Sequence, residues 1–490
     1  MKALRHSAML LLTVFMLVLA ACGGTPAAAP TAAPAPAAEA PTAAPAAEAP
    51  TVAPAAEAPT AAPAAEAPTA APAAAEPSPV PTPTPGISTV GTGSTKIVWW
   101  HINTGEPGRG NWQTLANTFV EQHPEVSIEI TVLENEAFKQ KLATAMQSGA
   151  PPDVFQSWGG GVLKQYADAG LVQDLTPSLQ TDGWGESFQP GPLSLYTFEG
   201  KTYGVPWTAG MVGFWYNKAL FQQAGIEKPP ATWSELLADV KQLKDAGITP
   251  IALGEGDKWP GHFWWVYLAV REGGQAAFEK AYTRQGSFAD EPFVAAGAKL
   301  KELVDLQPFQ NGFLGANYGN HQALMANGQA AMELMGQWAP AANGGVAEDL
   351  EAYNKNRGWF PFPSVEGGAG DPSDAMGGGD GFAVGKNAPK ETIDFIRFLT
   401  SVENQTAMAK AGIVVPTVKG AEVGLDDPLI KEVQQTAAKA KYYQLYYDQY
   451  LPPAVGQAVL DATQGIFAGT TTPEDAAQMI EDAAATELTQ

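Results

Sequence analysis

Residues 96–158 read KIVWWHINTGEPGRGNWQTLANTFVEQHPEVSIEITVLENEAFKQKLATAMQSGAPPDVFQSW. The apolar run 96–102 has the composition of a buried strand. A polar, glycine-containing loop follows at 103–110. Residues 111–122 place Leu115 and Phe119 four apart, on one face of a helix. In 125–133, Val126, Ile128, Ile130 and Val132 alternate with polar residues, the two-residue period of a strand. A second helix is predicted over 138–147 and stops at Gly149, before Pro151 and Pro152. Residues 153–158 form the third strand and lead into Gly159-Gly160-Gly161 and a helix ending near Gly170. Strands that alternate with helices need crossover connections, which place helices on both faces of a sheet. The fold class is therefore α/β, with parallel-rich sheets flanked by helices.

The same alternation restarts after residue 208. Thr232 and Glu235 form a capping box, ahead of an apolar stripe at Leu236, Leu237, Val240 and Leu243. Gly247 closes that helix, and 248–253 is the next expected strand. A last helix begins at Thr472-Pro473, with proline in its first turn. The stretch from about 96 to about 487 is too long for one hydrophobic core, so two lobes are expected, the second richer in helix.

Upstream lies a different kind of sequence. Lys2 and Arg5 precede an apolar run from 8 to 21, the layout of a secretory leader and too short for a settled membrane span. The run ends at Leu19-Ala20-Ala21-Cys22, which resembles a bacterial lipobox. Cys22 is the only cysteine, so no disulfide explains it. Residues 1–22 are expected to be a lipoprotein leader with Cys22 lipidated. Residues 23–94 are mostly Ala, Pro, Thr and Glu, with a nine-residue unit, APTAAPAAE, between 40 and 76. Lacking aromatic residues, this tract cannot bury enough apolar surface to offset chain entropy. It is expected to be a disordered, extended spacer.

The charge of −23, from 51 acidic and 28 basic residues, excludes the basic footprint that nucleic acid requires. It also leaves a lipid anchor as the only expected contact with the membrane. All 13 tryptophans follow residue 98, which suggests a stacking surface as well as a core. The five histidines show no metal-ligand spacing, and neither a Walker loop nor a G-x-S-x-G elbow occurs. No enzyme, cofactor or metal is indicated.

Two segments look like connections between lobes. One is GKTYGVPW (200–207), a plausible crossover strand. The other is GGGDGFAV (377–384), four glycines in five residues before a strand-like tail, suited to bending or to close backbone approach. Here the chain resembles family 1 extracellular solute-binding proteins, the maltose-type receptors of ABC importers. The resemblance is carried by FWYNKALFQQAGI (214–226) with the following EKPPATWSELLADVKQLKDAGITPIAL, by PDVFQSWGGGVLKQYADAGLVQDLT (152–176), by GQAAMELMGQWAP (328–340) and by 377–421.

The resemblance implies a two-lobe periplasmic-binding-protein fold, a type II clamshell with ligand between the lobes. It implies lobe 1 over 95–206, lobe 2 over 207–378, a return to lobe 1 over 379–425 and a finish mostly on lobe 2 over 426–490. It also implies a monomer that serves ABC permease subunits at the outer face of a bacterial cytoplasmic membrane.

A sugar presents apolar C–H faces and a hydroxyl rim, so its site needs aromatic plates beside hydrogen-bonding groups. The plates expected are Trp158, Trp207, Trp259, Trp264 and Trp338, the last matching the family's Gly-x-Trp element. The polar groups expected are Glu106, Arg109 and Asn111 in the first loop, Asp380 in the glycine run, and Tyr447 with Asp448. Glu333 and Gln337 are weaker candidates. The first loop lacks the Asp-Lys pair of maltose receptors proper, which argues against maltose itself. The reading is a sugar or oligosaccharide receptor. A receptor for a polyamine or peptide, and a secreted glycan-degrading lipoprotein, stay open.

Overall fold

The computed structural model describes residues 86–488. All of them fall within one compact unit, 74–490. The leader, Cys22 and the spacer up to 85 lie outside the described residues. The spacer, expected to run to 94, gives way earlier. Gly86–Val90 is an edge strand paired antiparallel with Val126–Val132, Gly86 opposite Val132. Only Val90 of that strand is buried, too little apolar pattern to mark it in the sequence.

The first lobe is built on a six-stranded sheet. Its order is Gly86–Val90, Val126–Val132, Thr95–His101, Val154–Ser157, Gly381–Val384, Gly204–Pro206. Thr95–His101 pairs in parallel with both of its neighbours, and the outer pairs are antiparallel. Within this sheet parallel pairing is confined to the part read from 96–158, and the sheets as a whole are mixed. The helix Gly108–Gln122 buries Trp112, Ala116 and Phe119 at helical spacing. Trp99 meets Trp112 edge-on at 5.8 Å and Phe382 at 6.2 Å. A second cluster, with Phe138, Leu142, Met146 and Phe155, is served by the helix Asn135–Gln147.

The second lobe carries two three-stranded sheets. Gly213–Asn217 lies between Met332–Met335 and Arg357–Phe360, all antiparallel. Ala375–Gly378 lies between Tyr443–Leu445, parallel, and Gly210–Met211, antiparallel. The helices Trp259–Tyr282, Glu291–Asp305, Pro453–Phe467 and Pro473–Glu487 pack against one another. The first of these is interrupted at Gly274. The Thr232–Glu235 capping box forms as predicted. The strand expected at 248–253 does not: only Ile251 forms bridges, to Phe309 and Met332. Pro250 within that stretch removes a ladder donor.

The chain crosses between the lobes on adjacent strands. It leaves through Gly204–Pro206 and Gly210–Met211, and it returns through Ala375–Gly378 and Gly381–Val384. At the crossing, the N–H groups of Trp207 and Thr208 both donate to the Asp380 carbonyl, at 2.8 and 3.2 Å. A third segment joins them: the Val415 N–H donates to Thr208 Oγ1 at 2.9 Å. The glycine run is part of this weave. None of its glycines has positive φ. A Cβ at Gly379 would lie 1.9 Å from the Thr208 carbonyl oxygen. These glycines let the crossing strands touch, the close backbone approach that the run suggested.

Candidate functional site

The crossing strands form the floor between the lobes, and the site is assembled on it. From the first lobe, the strand Val154–Ser157 ends at Trp158, a ring that remains partly open. Its edge packs on Phe138 at 6.0 Å, and Lys139 Nζ stands 5.6 Å from the ring centroid. From the second lobe, Met332–Met335 runs into Gly336, and the Trp338 ring folds back over it. A Cβ at Gly336 would sit 2.0 Å from that ring, so only glycine fits there. Trp338 is partly open, and its indole N–H donates to the Tyr318 hydroxyl at 3.0 Å. Trp259 meets Tyr318 edge-on at 4.8 Å and Trp338 at 6.3 Å. Tyr446 closes the group, 6.4 Å from Trp338 and with its ring against Gly378.

Polar groups line the same floor. Asp380 is partly buried, and burial pushes its carboxyl up to about 7 against the pull of the Gln156 and Trp158 side chains. Asp448 is 8% exposed and lies 3.3 Å from His262 Nε2 and 3.5 Å from Lys139 Nζ. Burial works against its charge, but His262 and Lys139 outweigh it and hold the carboxyl far below the usual range. Lys139 also contacts Glu136 at 3.2 Å. Burial raises Glu136 despite that partner, and Asp257 across the cleft adds to the rise. Several buried polar atoms have no protein partner: the Tyr446 hydroxyl, the Trp259 indole nitrogen, Gln337 Oε1 and Gln156 Oε1. Leaving such groups unpaired costs about 1–3 kcal/mol each, so their convergence in one place marks a surface that awaits hydrogen-bonding groups from outside.

The structure brings Trp158, Trp259, Trp338, Asp380, Asp448 and Gln337 into this region. Other expected residues lie elsewhere. Trp264 is 1% exposed between Phe214 at 5.3 Å and Phe362 at 6.4 Å, inside the second-lobe core. Trp207 is 3% exposed, edge-on to Trp112 at 5.0 Å, and belongs to the first-lobe core. Tyr447 is buried against Phe278 at 4.9 Å and Trp265, so its neighbour Tyr446 is the tyrosine on the floor. Glu333 is fully buried and engaged by His321 at 2.8 Å and Asn343 at 2.6 Å.

The first-loop residues are largely occupied with local contacts. Glu106 accepts the Gly110 N–H at 3.0 Å, and Asn111 donates to the Pro107 carbonyl at 2.8 Å. Arg109 lies beside Gly86. Burial and, after it, the charge of Arg109 push His101 down to about 3. The Glu106 carbonyl nevertheless reaches Gly345 of the second lobe, so this loop borders the cleft mouth.

The profile of the bacterial extracellular solute-binding proteins matches residues 105–406. The chain belongs to this family. It is a family of binding proteins of ABC transporters, extracytoplasmic and non-enzymatic. Among its relatives is the diacetylchitobiose binding protein DasA of Streptomyces coelicolor, 28% identical over 349 residues, 69% of this chain and 77% of that protein. A solved chitin oligosaccharide binding protein superposes with a TM-score of 0.75 at 28% identity, covering 81% of this chain and 99% of that one. A structure from work on xylan utilization by the thermophilic bacterium Caldanaerobius polysaccharolyticus superposes with a TM-score of 0.74 at 30% identity, covering 79% and 99%.

Proposed function

We propose that this family member is a carbohydrate receptor, one that captures an oligosaccharide between its lobes and delivers it to an ABC permease. The observation that carries the reading is the set of rings Trp158, Trp259, Tyr318 and Trp338 beside buried polar atoms that lack partners. Rings offer apolar plates to the C–H faces of a sugar, and the unpaired groups offer partners to its hydroxyls. The named ligands of DasA and of the chitin oligosaccharide binding protein point the same way. Ligand contacts to both lobes favour the closed state through differential affinity, and the permease recognises that state. The leader ending at Cys22 and the Ala/Pro spacer fit a lipid anchor at the outer face of the bacterial cytoplasmic membrane.

The test is a thermal-shift panel of chitin-, xylan- and maltose-derived oligosaccharides, with spermidine and a short peptide as other solute classes. A rise in melting temperature with at least one oligosaccharide is expected. A rise with spermidine or the peptide alone refutes the carbohydrate assignment, and cleavage of a sugar refutes the receptor.

A further inference from the structure

Glu333 is a fully buried carboxylate in the strand Met332–Met335, opposite Trp215. A buried ion pair is weak evidence for stability, because well-packed apolar residues in place of both partners are often as stable or more so. Its placement therefore asks for another account. Each of its oxygens meets one side chain. Oε2 lies 2.8 Å from Nε2 of His321, a residue 1% exposed whose Nδ1 has no partner. Oε1 accepts the side-chain amide of Asn343 at 2.6 Å, and Asn343 is also fully buried. His321 belongs to the helix Tyr318–Ala326 and Asn343 to the helix Ala339–Gly344. One carboxylate thus ties two helices to one strand.

These are the two helices that begin at the cleft rings. Tyr318 is the first residue of one, and Trp338 is the N-cap residue of the other. At the cleft, the Tyr318 hydroxyl accepts the Trp338 indole N–H at 3.0 Å. One turn deeper, His321 stands edge-on to Tyr318 at 5.5 Å and meets Glu333. The strand that carries Glu333 runs on into Gly336, the residue covered by the Trp338 ring. The same pair of helices is therefore joined twice, once beside the ligand and once in the interior. A binding group works only when supporting contacts hold it within about 0.5 Å of its productive place. We infer that Glu333 is a positioning residue for the bound oligosaccharide: through His321 and Asn343 it fixes the spacing of the two helices, and so holds the Trp338 plate against the sugar.

This inference rests on the carbohydrate reading, and the experiment separates the two. Tetramers of N-acetylglucosamine, of xylose and of the maltose type are titrated into the whole chain by calorimetry. The tightest of them is carried through a double-mutant cycle with Glu333→Ala and Trp338→Ala. Glu333→Ala is expected to weaken binding about tenfold in the parent, and by less than about twofold once Trp338→Ala is present. A merely structural role lowers affinity by the same factor in both backgrounds. Equal factors, or a Glu333→Ala protein that binds as the parent does, overturn the inference and leave the carbohydrate reading intact. The cycle is also run with Asn343→Ala, which breaks only the tie to the helix after Trp338, so the question is decided even if Glu333→Ala does not fold. No tetramer bound by the parent overturns both readings.

Discussion

Lys139 Nζ and Asp448 Oδ2 stand 3.5 Å apart, one on the helix Asn135–Gln147, the other on the short helix Tyr447–Tyr450 that follows the strand Tyr443–Leu445. The lysine side chain is 25% exposed and the aspartate 8%, so the pair is screened far less than a surface one. The contact ties a first-lobe helix to the cleft floor without passing through the crossing strands.

Removing the cation should therefore be felt. Lys139→Met leaves Asp448 with His262 and the Gln449 amide, and the expected loss is about 1–3 kcal/mol of unfolding free energy, measured by urea denaturation. The pH dependence has a definite sign. Asp448 is depressed in the folded state, so its contribution is fully present above the unfolded carboxylate range near pH 4 and is lost only as pH falls through its lower folded value. The variant is expected to begin acid unfolding at a higher pH than the parent. Coincident acid-unfolding curves would mean that the pair contributes nothing.

Asp380 has the opposite sign. Its folded carboxyl is raised to about 7 by burial, so the folded state holds a proton that the unfolded chain releases near pH 4. Between those values stability declines as pH rises, and above about pH 7 the full cost persists. Asp380→Asn is expected to raise the melting temperature at pH 8 and to change it little at pH 4, in the absence of ligand. Equal effects at the two pH values would show that the carboxyl is not perturbed.

Most of the first lobe could be read from residues 96–158, because period-two and period-3.6 patterns there were uninterrupted. The edge strand Gly86–Val90 could not, since a single inward residue carries no period. The crossing of the lobes was legible as a Gly-Val-Pro segment and a glycine run, yet the purpose of the glycines was not. Their close contacts are with Thr208 and Tyr446, distant in sequence. Within YYQLYYDQY, the turn from strand to helix decides which tyrosine faces the floor, and no spacing rule separates Tyr446 from Tyr447. Lys139, Gln156 and Tyr318 were missed because each lies in an ordinary helix, strand or helix start. Their importance comes only from partners such as Asp448, Asp380 and Trp338.

The tryptophans give a sharp contrast. Trp264 packs against Phe214 and Phe362 with almost no exposure. Trp264→Ala is expected to cost about 3–5 kcal/mol of stability through the cavity it leaves. Trp338 is partly open, and Trp338→Ala is expected to weaken oligosaccharide binding about tenfold or more, roughly 1.4 kcal/mol, with a smaller loss of stability. Calorimetric titration and denaturant melts on both variants check the pair. A Trp338→Ala protein that binds as the parent does would remove that ring from the site.

Tyr318 sharpens the same question, because it touches Trp338 and Trp259 at once. It accepts the Trp338 indole N–H at 3.0 Å and meets Trp259 edge-on at 4.8 Å. Its backbone N–H donates to Asp257 at 2.8 Å, which fixes the start of the helix Tyr318–Ala326 beneath both rings. Tyr318→Phe keeps the ring and that backbone bond and removes only the hydroxyl. The Trp338 ring then keeps its packing but loses what sets its tilt. One neutral hydrogen bond is worth about 1 kcal/mol, so oligosaccharide affinity is expected to fall roughly fivefold while the melting temperature moves little. A role limited to stability predicts the reverse, a lower melting temperature with affinity intact. Measuring both on the same preparation decides whether the hydroxyl positions the plate or merely fills space behind it.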